Sequence, residues 1–436
     1  MGGLETLLTT ASNRFEDFAG ELSNRTREEK CAIKLTRGDL ALALGRVSRL
    51  NSKTEEAKSK LAEATGIYSE INKTCLSDKD FLARNNNRLG IALAIRGQLT
   101  ENATLLQGAT GAFDESLKHP PDSREKAATQ NNRGLALAEV ARLENDTKLY
   151  RDAKGAFVEA LELGKQDSHG FDAAPVRNNL GNVLVALGRR EHDAAQLKRA
   201  MHEYCAALKK WTSEGESCHW AAAQNNLCWT LLNIAKMEHD QNQLERIEPD
   251  QNQIKQLNLA ICSCLNALKE WPRGSWDRPI THDNLGLAYT KRGELENDTA
   301  SLNQGVNAHR CALEELEKLT PDRPRRRADA KRNLGTALVA LGNRTGDTKL
   351  LEQALTDFDQ ALQYYKGLDK LNADDVRGKI LEVEGRLAQP QGGSSSPAPA
   401  SEPSPSQPAT PDSPTCEFSQ SPCEDACLAL GSNSKR

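Results

Sequence analysis

The chain has 436 residues with 57 basic and 61 acidic side chains, so its formal net charge is −4. This balance gives no reason to expect nucleic acid or an anionic membrane as a partner. There is no basic start followed by an apolar run, so neither a secretory signal nor a membrane span is predicted, and a cytoplasmic location is expected.

Residues 1–30 are predicted to form an N-terminal capping helix, because apolar side chains from Leu4 to Leu22 recur at helical spacing. Residues 31–78 are interpreted as a degenerate copy of the repeat that follows them. In this interpretation Gly38 is the anchor, and Ala57, Leu61 and Ala64 follow it after 19, 23 and 26 residues.

Residues 79–371 repeat one pattern. In the clearest copy, Gly335 is followed after 19 residues by Ala354, after 23 by Phe358 and after 26 by Ala361. The equivalent anchors of the other copies are Gly90, Gly134, Gly181, Cys228 and Gly286. Six copies at spacings of 44 to 58 residues predict an array of helix pairs.

Each pair is expected to pack through small residues. The anchor glycine lets the first helix lie close to the second, whose aromatic residue fills the space between two alanines. Asp347 or Thr348 is expected to cap the second helix of the last copy by accepting free backbone amides. A lone pair cannot bury its apolar face, so stacked neighbours must share one core.

The L-G-x2-[LY] and A-x3-[FY]-x2-A halves of the pattern resemble the tetratricopeptide repeat (TPR). The units are longer than in that family, and polar residues such as Gln130 and Gln224 stand at its tryptophan position. With NNLG opening the first helix, this variant is similar to bacterial TPR arrays and to kinesin light chain repeats. The resemblance implies an all-α, right-handed superhelical solenoid of six to seven helix pairs with capping helices.

The copy anchored on Cys228 differs from the others because its second half arrives 13 residues late. The insertion, around Gln241–Gln253, is expected to be a surface loop or the solvated tip of a helix pair.

Cys228 and Cys264 occupy core positions, and we interpret them as reduced packing residues. No cysteine spacing matches a zinc motif, so neither a metal nor a disulfide is expected.

Residues 372–388 are predicted to form a C-terminal capping helix, on the spacing of Val376, Ile380, Val383 and Leu387. Residues 389–436 are rich in proline and serine and are predicted to be a disordered tail, because they carry too few apolar residues to order themselves.

The sequence contains no P-loop, dinucleotide fingerprint, nucleophile elbow or zinc-protease motif, so neither an enzyme nor a cofactor is expected. Polar residues recur at two positions of the repeat, three residues and two residues before each anchor. We call them the polar row. An asparagine side chain offers an acceptor and a donor together, the pair that matches a peptide backbone. The TPR resemblance implies that the row lines a concave groove holding an extended peptide. The candidate groove residues are Asn87, Asn131, Asn132, Asn178, Asn179, Asn225, Asn226, Trp229, Asp283, Asn284, Arg332 and Asn333.

A second interpretation of the row remains open, in which the same amides bond the backbone of the neighbouring repeat. For Trp229 the alternative is a buried packing residue. The expected function is a non-catalytic interaction scaffold for a peptide or protein, with neither nucleic acid nor membrane as a partner. The alternatives are a regulatory sensor that responds to a small peptide or ligand, and an accessory subunit of an enzyme complex.

Overall fold

The computed structural model describes residues 2–19, 26–51, 53–75, 78–119, 122–166, 170–215, 217–242, 251–319 and 323–388. Within these ranges there are sixteen α-helices and no strand, so the predicted all-α class is confirmed. The predicted tail, 389–436, lies outside the described residues. Among the described helices there is none whose length and apolar character would let it cross a membrane.

The helices follow one another in chain order. They are α1 (Gly2–Ala19), α2 (Arg27–Leu50), α3 (Thr54–Thr74), α4 (Lys79–Thr100), α5 (Ala103–Leu117), α6 (Ser123–Glu144), α7 (Thr147–Lys165), α8 (Ala174–Glu191), α9 (Ala194–Leu208), α10 (Ser217–Asn242), α11 (Gln251–Glu270), α12 (Asp277–Glu296), α13 (Thr299–Glu317), α14 (Pro324–Thr345), α15 (Thr348–Tyr365) and α16 (Lys370–Leu387).

The chain divides into two compact units, Met1–Glu203 and Tyr204–Arg436. In unit 1, α2/α3, α4/α5 and α6/α7 form helix pairs, and the second helix of each pair also packs on the first helix of the next. Unit 2 repeats the arrangement with α10/α11, α12/α13 and α14/α15. Helix α1 packs on α2, and α16 packs on α15. Each unit is therefore a stack in which packing is mainly between neighbours.

A short turn joins the first helix of a pair to the second. The residue that ends the first helix has a left-handed backbone, with φ between 47° and 72°, at Glu101, Asn145, His192, Asn297 and Gly346. The next residue is an aspartate or asparagine whose side chain accepts hydrogen bonds from the first amides of the second helix. In the last copy this residue is Asp347, one of the two predicted caps.

A phenylalanine ring lies on the anchor glycine in three helix pairs. The contacts are Gly90 with Phe113, Gly134 with Phe157, and Gly335 with Phe358. A Cβ added to any of these glycines would stand only 2.5 to 2.8 Å from the ring. All three rings are fully buried. The glycine is required because any side chain there would force the two helices apart.

The degenerate copy uses a different residue from the one expected. Tyr68, and not Leu61, lies on Gly38, with its nearest ring carbon 2.6 Å from a Cβ added there. Leu61 instead meets Gly45. Tyr68 follows Leu61 by seven residues, which is about two helical turns, so both residues lie on the same buried face. The spacing of apolar residues alone does not show which of the two residues meets Gly38.

Disulfide bonds involve six cysteines of the described residues: Cys31, Cys75, Cys205, Cys228, Cys264 and Cys311. Cys31 joins Cys75 and Cys228 joins Cys264, with Cα–Cα distances of 6.1 and 5.6 Å. The interpretation of Cys228 and Cys264 as reduced packing residues is therefore wrong, because their positions face each other across one helix pair. A disulfide closing a loop of this length typically adds about 3 to 4 kcal/mol to the free energy of unfolding.

The insertion is only partly a surface segment. Helix α10 continues to Asn242 and α11 begins at Gln251, while 243–250 lie outside the described residues. Gln253 is buried, and its Nε2 donates to the backbone oxygen of Ala235 at 2.8 Å. The C-terminal end of the insertion is thus part of the core of the α10/α11 pair.

We predict that Phe358→Ala lowers the free energy of unfolding of the C-terminal helices by about 3 to 5 kcal/mol, the usual cost of removing a buried ring. Hydrogen exchange should accelerate in α14 to α16 and remain unchanged in α2 to α7, since packing is mainly between neighbours. Thr356→Ala, at an exposed position of the same helix, is the control and should change little. Uniform loss of protection along the chain would contradict this prediction.

Candidate functional site

The asparagine row lies on the first helices of the pairs, which also contact one another from repeat to repeat. In unit 1 these are α4, α6 and α8, and in unit 2 they are α10, α12 and α14. Asn132 Nδ2 donates to Asn87 Oδ1 at 3.4 Å, and Asn179 Nδ2 donates to Asn131 Oδ1 at 3.0 Å. The two bonds join equivalent positions. In each, the donor stands two residues before the anchor of its own repeat, and the acceptor stands three residues before the anchor of the preceding repeat.

Unit 2 follows the same rule. Asn284 Nδ2 donates to Asn225 Oδ1 at 3.0 Å, and Asn333 Nδ2 donates to Asp283 Oδ2 at 2.9 Å. We call each set of bonds an amide ladder. The ladders link neighbouring repeats through side chains rather than through the backbone that the sequence interpretation had considered. Asn178, Asn226 and Trp229 lie in the same rows, and each already has an interaction of its own.

In unit 1 each ladder bond uses only part of the hydrogen-bonding capacity of its two amides. Asn87 and Asn131 accept through Oδ1 and keep their Nδ2 groups, while Asn132 and Asn179 donate through Nδ2 and keep their Oδ1 atoms. All four side chains are half-buried. In the part of the chain that the structure describes, the remaining groups make no further hydrogen bond and are not buried. A bonded pair thus still offers one donor and one acceptor.

An apolar row lies one helical turn beyond the amides. It consists of the residue that directly follows each anchor. This residue stands four positions after the first residue of the amide row, and residues four apart lie on the same helix face. Its apolar members are Ile91, Leu135, Trp229 and Leu287. Leu135 is 38% exposed, and the other three are half-buried. Sequence reasoning singled out only Trp229, although the four-residue spacing from the asparagines would have indicated the others.

We call the two rows together the amide–apolar face. In unit 1 it comprises Asn87, Ile91, Asn131, Asn132, Leu135 and Asn179; in unit 2 it comprises Asn225, Trp229, Asp283, Asn284, Leu287, Arg332 and Asn333.

The last helix closes the ladder of unit 2. Arg332 Nη1 donates to Asn372 Oδ1 at 2.5 Å, and Arg332 Nη2 lies 3.4 Å from Asn333 Oδ1. Asn372 lies at the start of α16 and donates in turn to Asp369 Oδ2 at 2.7 Å. The guanidinium of Arg332 is therefore engaged within the chain, and its donors are directed at neighbouring amides.

One repeat of unit 2 replaces the amide by a carboxylate and the phenylalanine ring by an imidazole. His309 occupies the ring position on Gly286, and its Nδ1 lies 2.7 Å from Asp283 Oδ1. His309 is fully buried. Asp283 stands where other copies have asparagine, so its two carboxylate oxygens serve the histidine and the ladder together. The two substitutions are complementary, because a buried imidazole needs a polar partner that a phenylalanine does not.

An ion pair also lies in the same helix pair. Arg278 Nε donates to Glu315 Oε1 at 2.6 Å. Burial alone would raise the pKa of Glu315, but the nearby imidazole of His282, 3.6 Å away, and the guanidinium of Arg278 outweigh it and hold the pKa below its ordinary value. In the described ranges, no group of three or more histidine, cysteine, aspartate or glutamate side chains is placed to hold a metal ion.

The described residues form stacked helix pairs, which is a helical-repeat fold. No protein-family model matches the sequence, and no curated protein matches it. Similar solved structures include BtubC (BKLC) from P. vanneervenii, with 16% identity over 69% of this chain and 98% of that one and a TM-score of 0.38. Another is the nuclear import adaptor Nro1, with 12% identity, coverage of 85% and 99%, and a TM-score of 0.40.

A third similar structure corrects one expectation. Human IFIT1 with the RNA PPP-AAAA is 15% identical, with coverage of 84% of this chain and 83% of that one and a TM-score of 0.30. The expectation of no nucleic acid as a partner, drawn from the balanced net charge, is therefore wrong as an exclusion. Net charge averages over the whole chain, whereas nucleic acid is bound by local groups.

We predict that the Asn131–Asn179 bond contributes about 0.5 to 1.5 kcal/mol to the stability of unit 1. Each asparagine-to-alanine change alone improves helix propensity, which hides part of the loss. A double-mutant cycle of Asn131→Ala and Asn179→Ala, read from hydrogen exchange in α6 and α8, isolates the coupling.

The matched control is the cycle of Asn131→Ala with Asn284→Ala, two residues that share no bond. Its effects on α6 should be additive. Additivity in the Asn131–Asn179 cycle as well would show that the ladder bond contributes nothing to stability.

Proposed function

We propose that the protein is a non-catalytic scaffold that holds an extended segment of a partner protein on its amide–apolar face. The observation that carries the proposal is the half-used amide ladder beside a partly exposed apolar row. An extended peptide presents backbone donors and acceptors along its length, with side chains between them. The face offers the complementary groups in the same two classes.

The ladder favours such binding instead of competing with it. Bonds between Asn131 and Asn179, and between Asn132 and Asn87, fix the side-chain rotamers before a partner arrives. Less conformational entropy is then lost on association, because the amides are already ordered. In unit 1 the same amides can therefore bond the neighbouring repeat and bind a peptide, since each bond uses only one group of each amide.

Hydrogen bonds to a partner replace hydrogen bonds to water, so they add little net free energy of binding. The apolar row supplies the larger part. Burying an exposed leucine or isoleucine side chain contributes roughly 1.5 to 3 kcal/mol. Leu135 is the most exposed member in unit 1, and Trp229 is the largest member in unit 2. Tryptophan is enriched among residues that dominate binding energy. We therefore expect the partner's apolar side chains to contact these residues.

The absence of catalysis stays a prediction. The face is built from amides and apolar side chains, which are not the groups that act as nucleophiles or general bases. Cytoplasmic location also stays a prediction, and the disulfides do not favour it, since disulfides persist mainly in oxidising compartments. The closer similarity to NNLG-type bacterial and kinesin light chain repeats remains a proposal from the sequence.

Leu135→Glu and Val158→Glu form a matched pair of variants for testing the face. The two residues are 38% and 39% exposed, but Leu135 lies on the face and Val158 lies on the second helix α7. Random displayed 16-residue peptides would be selected on the full-length protein, and the affinity of the selected peptides measured by fluorescence anisotropy. We expect Leu135→Glu to weaken binding at least tenfold, about 1.4 kcal/mol, and Val158→Glu to change it less than twofold.

Equal losses in the two variants would place the binding site elsewhere. Failure to select any peptide on the folded protein would also count against the proposal. Circular dichroism and melting temperature of both variants check that the glutamate has not unfolded either helix pair.

A further inference from the structure

One position in the repeat is occupied by three different chemical groups. In α4/α5, α6/α7 and α14/α15 it is a phenylalanine ring on a glycine, and in α12/α13 it is His309 on Gly286. In α10/α11 the same two positions hold Cys228 and Cys264, which are bonded to each other and fully buried. A covalent bond therefore stands where other repeats have ring packing.

This exchange makes the α10/α11 pair dependent on oxidation. The sulfurs of a disulfide lie about 2.05 Å apart, whereas non-bonded heavy atoms need roughly 3.5 to 4 Å. Reduced thiols at Cys228 and Cys264 would either push the helices apart or turn away and leave a void. Interiors are close-packed, so both responses disturb the pair. Cys31–Cys75 differs in this respect, because in that pair Tyr68 on Gly38 supplies the ring packing as well.

The disulfide adjoins the amide–apolar face. Trp229 follows Cys228 directly, and Asn225 lies one turn before it on α10, where it accepts the ladder bond from Asn284. A movement of α10 relative to α11 would therefore displace Trp229 and lengthen the Asn284–Asn225 bond together.

We propose that Cys228–Cys264 is a redox-responsive joint whose reduction by a dithiol loosens α10/α11 and weakens partner binding on unit 2. One thiolate of the dithiol attacks a sulfur of the bond and forms a mixed disulfide, and its second thiol displaces that sulfur. The dithiol is oxidised to a disulfide, and its two electrons and two protons leave Cys228 and Cys264 as thiols. The effect on binding rests on the proposed function, whereas the loosening of the helix pair does not.

The test compares the full-length protein with the variant C228G/C264F, which installs the glycine–phenylalanine contact of the neighbouring repeats. Both proteins retain every other cysteine, so their difference isolates this pair. Hydrogen exchange is followed with and without dithiothreitol, and alkylation followed by mass spectrometry verifies that the bond has opened. We expect exchange in α10 and α11 of the native protein to accelerate at least tenfold on reduction, and exchange in the variant to be unchanged.

Equal exchange in the oxidised and reduced native protein would overturn the proposal. A bond that stays closed in the folded protein under dithiothreitol would overturn it as well. If C228G/C264F responds like the native protein, the effect arises at another disulfide and the assignment fails. Peptide binding is measured on the same samples: exchange that responds while binding does not would retain the joint and reject only its link to the proposed function.

Discussion

The contact between an anchor glycine and the ring above it is the constraint on which the rest of the structure depends. Phe358 lies where even a single Cβ on Gly335 would come within 2.7 Å of it. This close approach fixes the depth to which the second helix sits against the first. Because the second helix also packs on the next first helix, the contact sets the spacing of successive first helices as well. The amide ladders join first helices at the spacing that the core sets, including at α10/α11, where a disulfide replaces the ring.

Much of the fold could be predicted because its signals are local. The 19, 23 and 26 residue offsets from Gly335 follow from helix periodicity, and Asp347 caps its helix through its own side chain. The prediction of which residue contacts Gly38 was wrong, because two apolar residues fit the same pattern. Tyr68 and Leu61 lie on the same helix face two turns apart, so the apolar pattern could not tell which of them meets Gly38.

The candidate site was less predictable, because its partners come from different repeats. The asparagines were identified from their recurrence, but which amide bonds which depends on the rotation between neighbouring first helices, and this rotation is not encoded in any single repeat. Chemical assumptions also mattered. Cys228 and Cys264 were placed in the core of one helix pair, yet an assumed reducing compartment led to their interpretation as free thiols. The geometry instead brings the two sulfurs together.

Nearest-neighbour packing explains why one position tolerates a ring, a disulfide and a histidine. A change at the ring position alters one helix pair and its immediate neighbours, and the rest of the stack keeps its contacts. The imidazole of His309 requires a polar partner, and Asp283 supplies it while still accepting the ladder bond of Asn333. The two departures from the glycine–aromatic contact, in α10/α11 and α12/α13, adjoin each other in unit 2. Cys228 directly precedes Trp229, and His309 contacts Asp283, so both departures adjoin residues of the amide–apolar face. A local change in packing at either position would therefore displace a residue of that face.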